Sequence, residues 1–304
     1  MKNSLPEGAA APAGDIAARR EKTVRLSPEL RAFLANPAGM AGLALLLLVL
    51  FMALSAPFIY PGDPLDMVAQ PFLWPGQNAD YPLGTDSLGR DVAAGIVHGA
   101  QVSLLIGFSS VLVSLLIGTL VGSLAGYFGG RVDDILVHVT ELFQTFPTFL
   151  LVVVLVAIGQ PSVALISSAI GIASWPTIAR LVRAEFRTLR ESDFVLAARS
   201  QGFSSLRIIL QEMLPNALPS IIVTTSVMVA SAILIESALS FLGFGDPNRV
   251  SWGSMIGAGR ESLRTAWYLT ALPGCLLVLT VLSLNLVGDA LNDALNPRLR
   301  ERNA

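Results

Sequence analysis

Few side chains in this sequence can do chemistry, and their spacing narrows what that chemistry is. The only lysines, Lys2 and Lys22, stand near the N-terminus, so no Gly-rich loop followed by Lys and Ser/Thr is present to cradle nucleotide phosphates. His98 and His138 are the only imidazoles, and neither a His-Glu-x-x-His zinc pair nor a Gly-x-Ser-x-Gly nucleophile elbow occurs. Each histidine therefore reads as a packed or snorkelling residue. Cys275 is the single cysteine. It excludes an internal disulfide and a multi-cysteine metal site, and its apolar neighbours make it an inert core residue. No catalytic residue, metal site or cofactor site is expected in this chain.

Three polar groupings remain. Glu236 interrupts an apolar run, where a carboxyl serves either as a cargo-path or gate residue or as a locally hydrogen-bonded structural acid. Asp86, Arg90 and Asp91 form a compact charged cluster, suited to contact with another protein or to helix capping and local pairing. Arg180, Arg183, Arg187 and Arg190 recur at helical spacing on one face. Such a stripe snorkels to headgroup phosphates, making membrane lipid a partner, or takes part in gating.

The elements that position these groups lie in lipid. Of 304 residues, 53% are hydrophobic and 14% charged, with a mean hydropathy of +0.64, whereas soluble domains carry about 25% charged residues. Too few charges exist to coat a soluble surface. A formal net charge of -2 gives no electrostatic footprint for phosphate backbones, so nucleic acid is not an expected partner.

Crossing the hydrocarbon core takes about 20 apolar residues. The stretches 41–60, 102–127, 135–158, 162–181, 218–242 and 267–288 meet that length, which predicts an all-α integral membrane fold of six transmembrane helices. The charge-free run from Leu142 to Ala179 would measure about 57 Å as one helix at 1.5 Å per residue, so it must turn, and Gly159-Gln160-Pro161-Ser162 supplies the turn. Placing both termini on the cytoplasmic side puts every Lys and Arg there except Arg90, Arg249, Arg260 and Arg264. That is the positive-inside orientation.

Residues 1–27, rich in Ala, Pro, Gly and Arg without apolar periodicity, read as a disordered cytoplasmic tail. Residues 28–101 hold the first span and an external loop that Pro61, Pro64, Pro71, Pro75 and Pro82 keep extended. Trp74 and Tyr81 in it are interface anchors or, alternatively, ligand-stacking groups. Residues 102–290 carry the other five spans, and 291–304 form a cytoplasmic C-terminal tail. In the second span Gly118, Gly122 and Gly126 continue the four-residue spacing of Ser110 and Ser114. This ladder of small residues is a helix-packing seam whose partner lies in this chain or another.

The most informative stretch is 191–216. Ser192 suits an N-cap, Asp193 the positive end of a helix, and Gly202 a left-handed stop, which predicts a short helix over 192–202, too short to span. It displays Phe194, Ala198 and Gln201 along one side, with Ala197-Ala198 as a low-profile contact. A groove on a partner or the membrane surface would accept such a helix.

Leu196-Ala197-Ala198, followed by Gly202, Ile208-Ile209 and Leu214-Pro215, resembles the cytoplasmic loop by which importer-type ABC permeases dock into their ATPase. More closely, Phe194-Val-x-Ala-Ala-Arg-x-x-Gly202 with Leu214-Pro-Asn216 resembles the dipeptide, oligopeptide and nickel branch. Further stretches agree in order: Pro82-Leu-Gly-Thr-Asp-Ser-Leu-Gly-Arg-Asp91, Ala125-Gly-Tyr-Phe-Gly-Gly130, Ser240-Phe-Leu-Gly-Phe-Gly245 with Ser251-Trp-Gly253, and Asn285-x-x-Gly-Asp289. The external run resembles that of the C-type permease. The loop's usual acidic residue is Leu196 here, Glu212 stands where relatives often have His, and Asn292 and Asn296 stand where Arg and Asp are common.

The resemblance implies a permease core preceded by one extra N-terminal transmembrane helix, in the bacterial inner membrane. It further implies a second, B-type permease subunit, two ABC ATPase subunits that carry ATP and Mg, and an external solute-binding protein. Asp193, Phe194, Leu196, Ala197, Ala198, Arg199 and Gly202 are then the ATPase-coupling residues, with Ala198 and Gly202 permitting close docking. On the outer side Asp86, Arg90 and Asp91 are either contacts for the binding protein or local caps and pairs. Cargo would be peptides or related solutes, nickel complexes and glutathione-like molecules among them. The rival class is a secondary transporter or channel not coupled to ATP, which would need coupling-ion sites and internal repeats that are not found.

Overall fold

The computed structural model describes residues 28–295, all of whose regular elements are helical. The tail read over 1–27, Asn296 and the rest of the C-terminal stretch lie outside the described residues. Helix α1 (Pro28–Ala35) leads into α2 (Pro37–Ile59), whose start is capped by Asn36 accepting from the Gly39 N–H at 3.0 Å. Next come α3 (Val92–Phe128), α4 (Gly130–Gln144), α5 (Thr148–Ile158) and α6 (Val163–Arg190). A short helix α7 (Asp193–Ser200) precedes α8 (Ser205–Arg207), which runs through a π-helical stretch, Ile208–Met213, into α9 (Leu214–Phe241). Helix α10 (Trp252–Gly259) and the long α11 (Tyr268–Leu295) complete the order.

Among the described residues five helices are long and apolar enough to span a membrane, and the bent pair α4–α5 makes a sixth span if counted as one. That pair corrects the expectation of one straight span over 135–158: α4 and α5 meet at 80° around residues 145–147. Pro147 is the cause, since it has no N–H to continue the ladder and disfavours helical geometry in the residue before it. Helix α3 also begins ten residues before the expected start, because Asp91 caps it and accepts from the Ala93 N–H at 2.9 Å.

The core seam joins α3 to α6. Ser110, Ser114, Gly118, Gly122 and Gly126 are all buried, so the partner of the ladder lies in this chain. A Cβ on Gly122 would sit 2.5 Å from the Ala179 carbonyl oxygen, and one on Gly126 would sit 2.5 Å from the Phe186 Cβ. The Ser114 hydroxyl donates to the Gly171 carbonyl across the seam at 3.0 Å. Backbones that approach this closely gain dispersion and polar contacts where no hydrophobic effect acts between helices. On the opposite face of α3, Leu105, Phe108, Leu112, Leu116 and Leu120 are exposed, as a lipid-facing stripe must be. Helix α2 approaches α11 in the same way, with Gly39 against Ala290 and Gly42 against Leu286.

Cys275 is exposed on α11, which corrects its reading as a core residue. Apolar neighbours in sequence do not separate a lipid face from a packed one. His98 Nε2 lies 2.9 Å from the Tyr60 carbonyl and His138 Nδ1 2.5 Å from that of Asp134, so both imidazoles are held by backbone.

Candidate functional site

Helix α7 is held from below and bare above. Val195 is fully buried and Ala198 nearly so, within a cluster containing Tyr127, Ile178, Val182, Phe186, Ile208 and Met213. Asp193, Phe194, Leu196, Ala197 and Gln201 point away from that cluster, with Phe194 39% and Leu196 46% exposed. Ala198 was expected on the docking face and is instead part of the chain's own core; Ala197 is the small residue on the open face. The reason is register, because Val195 and Ala198 are three apart and share the side turned to the protein.

Both ends of α7 are defined by backbone. Gly202 adopts φ +80°, its N–H donates to the Arg199 carbonyl at 3.0 Å, and the Phe203 N–H reaches the Ala198 carbonyl at 3.1 Å. This pair of bonds is the Schellman stop. A Cβ on Gly202 would meet nothing within 4 Å, so the backbone turn, not crowding, calls for glycine. Ser192 occupies the N-cap position, but its hydroxyl donates back to the Leu189 carbonyl and caps nothing. Arg199 lies over the Tyr127 ring, 5.2 Å from its centroid, tying α7 to α3.

The arginine stripe is partly spent inside the chain, which corrects its reading as four free snorkelling groups. Arg183 makes a forked pair with Asp133 of α4, its Nη2 donating to Oδ2 at 2.7 Å. Arg190 pairs with Glu191 at 3.0 Å and rests against Gly129. Arg180 and Arg187 make no ion pair among the described residues.

At the opposite end of the bundle, Glu236 is fully buried and takes hydroxyls from Ser240 at 2.7 Å, Ser103 at 3.2 Å and Ser237 at 3.3 Å. Ser103 in turn accepts from the Trp252 backbone N–H at 3.4 Å, and the Trp252 indole donates to the Ile96 carbonyl at 3.0 Å. The carboxyl thereby joins α3, α9 and α10. Of the two roles open for Glu236, this is the geometry of a structural acid.

The segment 60–91 folds against the same end. The Tyr268 hydroxyl lies 2.9 Å from both the Leu73 and Thr85 carbonyls, which share its one proton, and its ring packs on Trp74 at a 5.3 Å centroid distance. Tyr81 donates to the Val68 carbonyl at 3.2 Å. Beside this segment lies a cleft of about 410 Å³ whose lining includes Asp86, Arg90, Asp91, Asp246, Arg249 and Arg260. Its carboxylates are occupied by backbone. Asp86 accepts from the Leu88 and Arg90 N–H groups, and Asp246 from those of Asn248 and Val163. Asp91 caps α3, and burial pushes its carboxyl above the ordinary range against the opposing pull of the Ala93 and Ala94 N–H groups. The three guanidinium groups form no ion pair among the described residues, and Arg90 Nε is buried without a partner. Arg260 lies 5.8 Å over the Phe241 ring.

Comparison with known proteins fits this arrangement. Residues 118–301 match the family described as binding-protein-dependent transport system inner membrane component. The chain belongs to that family. It is accordingly a transmembrane permease subunit of an ABC importer. Residues 30–80 match the N-terminal TM domain of oligopeptide transport permease C, which accounts for the extra first span. The di/tripeptide transport system permease protein DppC of Pseudomonas aeruginosa (strain UCBPP-PA14) is 40% identical, with 89% of this chain and 91% of the relative covered. The oligopeptide transport system permease protein OppC of Escherichia coli (strain K12) is 37% identical, over 89% and 90% respectively. Among solved structures, an inward-facing MetNI methionine ABC transporter chain superposes with a TM-score of 0.55 at 19% identity, covering 66% of this chain and 96% of that one. This last likeness is one of fold.

Hydropathy passed over one feature of the permease. Thr148, Ser174, Thr177 and Thr224 line a cavity of about 340 Å³ between α3, α5, α6 and α9. For three of them the signal in the sequence is a hydroxyl side chain within two residues of a proline inside an apolar run, Pro147-Thr148 and Ser174-Trp175-Pro176-Thr177; Thr224 carries no such mark.

Proposed function

We propose that this permease imports peptides of two or a few residues, or chemically related small solutes, with ATP hydrolysed on separate subunits. The observation that carries the coupling is α7, anchored through Val195 and Ala198 and presenting Phe194, Leu196 and Ala197 outward. An amphipathic helix bare on one side fits a groove on a partner, and closure of ATPase subunits around it would bias one packing of the spans against another. Peptide cargo rests on the names of the relatives. The partners of this reading are a second permease subunit, two ATPases holding ATP and Mg, and an external binding protein; this chain supplies no catalytic group.

In this reading both termini face the cytoplasm, as the distribution of Lys and Arg favours, in a bacterial inner membrane. The cleft lined by Arg90, Arg249 and Arg260 then faces outward. Its unpaired guanidiniums suit carboxylates on the binding protein, while Asp86 and Asp91 shape the loop. Glu236 holds α3, α9 and α10 together and does not touch cargo. Purifying the assembled importer with its binding protein and identifying the bound solute by mass spectrometry tests the reading. Short peptides are expected; a solute with no amide or amino acid moiety contradicts it.

A further inference from the structure

A hydroxyl in hydrocarbon has no water to bond, so Ser and Thr in spanning helices ordinarily donate to a carbonyl one turn back. Most hydroxyls here do so: around the 340 Å³ cavity, Ser110 donates to Ile106 at 2.6 Å and Ser231 to Val227 at 3.3 Å, while Ser114 is engaged across the seam. Thr148, Ser174, Thr177 and Thr224 behave differently. Each lines the cavity, no side-chain hydroxyl of the four has a hydrogen-bond partner among the described residues, and none is fully buried.

Backbone irregularity gathers at the same place. Pro176 has no N–H, so the Ile172 carbonyl lacks its helical donor, and Thr148 starts α5 directly after the 80° break. Irregular backbone at membrane depth is tolerated where it is buried in protein or lines a water-filled cavity, not where it faces lipid. Thr177 lies about 21 Å from the Val163 end of α6 and Thr224 about 15 Å from the Leu214 end of α9, at 1.5 Å per residue. Those ends are on opposite sides, and with the spans at 162–181 and 218–242 both threonines lie in the cytoplasmic half of a hydrocarbon core about 30 Å thick, while Ser110, Ile170 and Ser231 of the same lining stand at least about 12 Å from either end of their spans, so the cavity reaches mid-membrane.

We propose that this cavity is a mid-membrane station for the transported solute, and that the chemistry it takes is a peptide backbone. Resting on the permease reading above, the proposal names the wall that cargo touches. Hydroxyls both donate and accept, so Thr148, Ser174, Thr177 and Thr224 match amide N–H and carbonyl groups in any order. No Asp, Glu, Lys, Arg or His lines the cavity, so it holds no fixed charge to retain an ion or select a side chain by charge. Its volume falls at the lower end of the roughly 300–1,000 Å³ usual for small-molecule sites, and a second permease subunit would close the open side.

Substituted cysteines in the assembled importer test this, with Cys275→Ser as parent because Cys275 is exposed. Thr177→Cys and Thr224→Cys are expected to react with a charged, water-soluble methanethiosulfonate at least tenfold faster than Leu120→Cys on the lipid-facing stripe. A transported dipeptide should slow that labelling severalfold. Thr177→Leu with Thr224→Leu should cut ATP-driven dipeptide uptake tenfold or more while the assembled importer is recovered in the same yield and melts at the same temperature, and the Thr→Ser pair should restore uptake. Labelling no faster than Leu120→Cys would mean that lipid or a packed partner helix fills the space, and overturns the proposal. So would normal uptake by the leucine pair, or labelling indifferent to peptide. If the parent importer takes up no peptide with ATP, the permease reading fails first and the station fails with it.

Discussion

Glu236 is fully buried and Asp91 half-buried, and the two carboxyls are held by different partners. Glu236 takes three hydroxyls inside the protein, so Glu236→Gln, which keeps an acceptor oxygen, should retain uptake. Glu236→Leu strands Ser103, Ser237 and Ser240, and leaving a buried polar group unsatisfied costs about 1–3 kcal/mol. A lower melting temperature of the purified complex is expected for Leu and little change for Gln. Abolished transport in Glu236→Gln with normal melting would return this residue to the cargo path. Asp91 has its carboxyl raised by burial, so the folded protein holds that proton more tightly than the unfolded chain. Its contribution to stability is therefore full below the ordinary carboxyl value of 3.8 and is lost as pH rises through the higher folded value. Asp91→Asn keeps the cap acceptor and removes the titration. The decline in melting temperature as pH rises above 3.8 should become shallower; an unchanged slope would show that Asp91 does not contribute.

Among the elements, the α3–α6 seam sets the packing of the spans and α7 sits at their cytoplasmic end in the proposed orientation. Even the methyl of Gly122→Ala would press on the Ala179 carbonyl, whereas a Cβ at Gly274 in α11 meets nothing within 4 Å. Gly122→Leu should therefore collapse the yield of folded protein and Gly274→Ala should not, as read by monodisperse size-exclusion recovery; equal yields would dissolve the seam as a determinant of the fold. Beneath α7, Ala198→Leu overfills a packed cluster, a change that typically costs about 1–3 kcal/mol, and both melting temperature and ATPase stimulation should fall. Wild-type melting for Ala198→Leu would contradict its burial. The ladder and the short helix were both legible as patterns, since four-residue spacing and the Gly202 stop are local chemistry. Which helix the ladder meets, and which of two adjacent alanines faces the protein, depend on packing register, and spacing alone does not report it. Pro147 was a legible break that hydropathy overran, because a window average registers apolar content and ignores a missing N–H.

For the whole molecule, charge distribution and apolar length were sufficient to read a multi-span membrane protein, while exposure within a span was not. Cys275 on a lipid-accessible face and Val152 in the core sit in equally apolar runs. Lipid and protein interior look alike to an apolar side chain, so the hydroxyl-lined cavity surfaces only once the helices are assembled. Taken together, the anchored α7, the mid-depth cavity and the guanidinium cleft lie in series across the bundle, a layout suited to coupling, passage and delivery. Transmission of ATP hydrolysis through α7 to the spans can be tested at Ala197, which lies on the open face and outside the core. The measurement is dipeptide uptake into vesicles holding the full importer and binding protein, with and without ATP, for wild type and Ala197→Trp. Uptake is expected to require ATP and to fall at least tenfold in Ala197→Trp, with the variant permease folded and melting normally. Uptake without ATP, or undiminished in Ala197→Trp, would contradict transmission through α7.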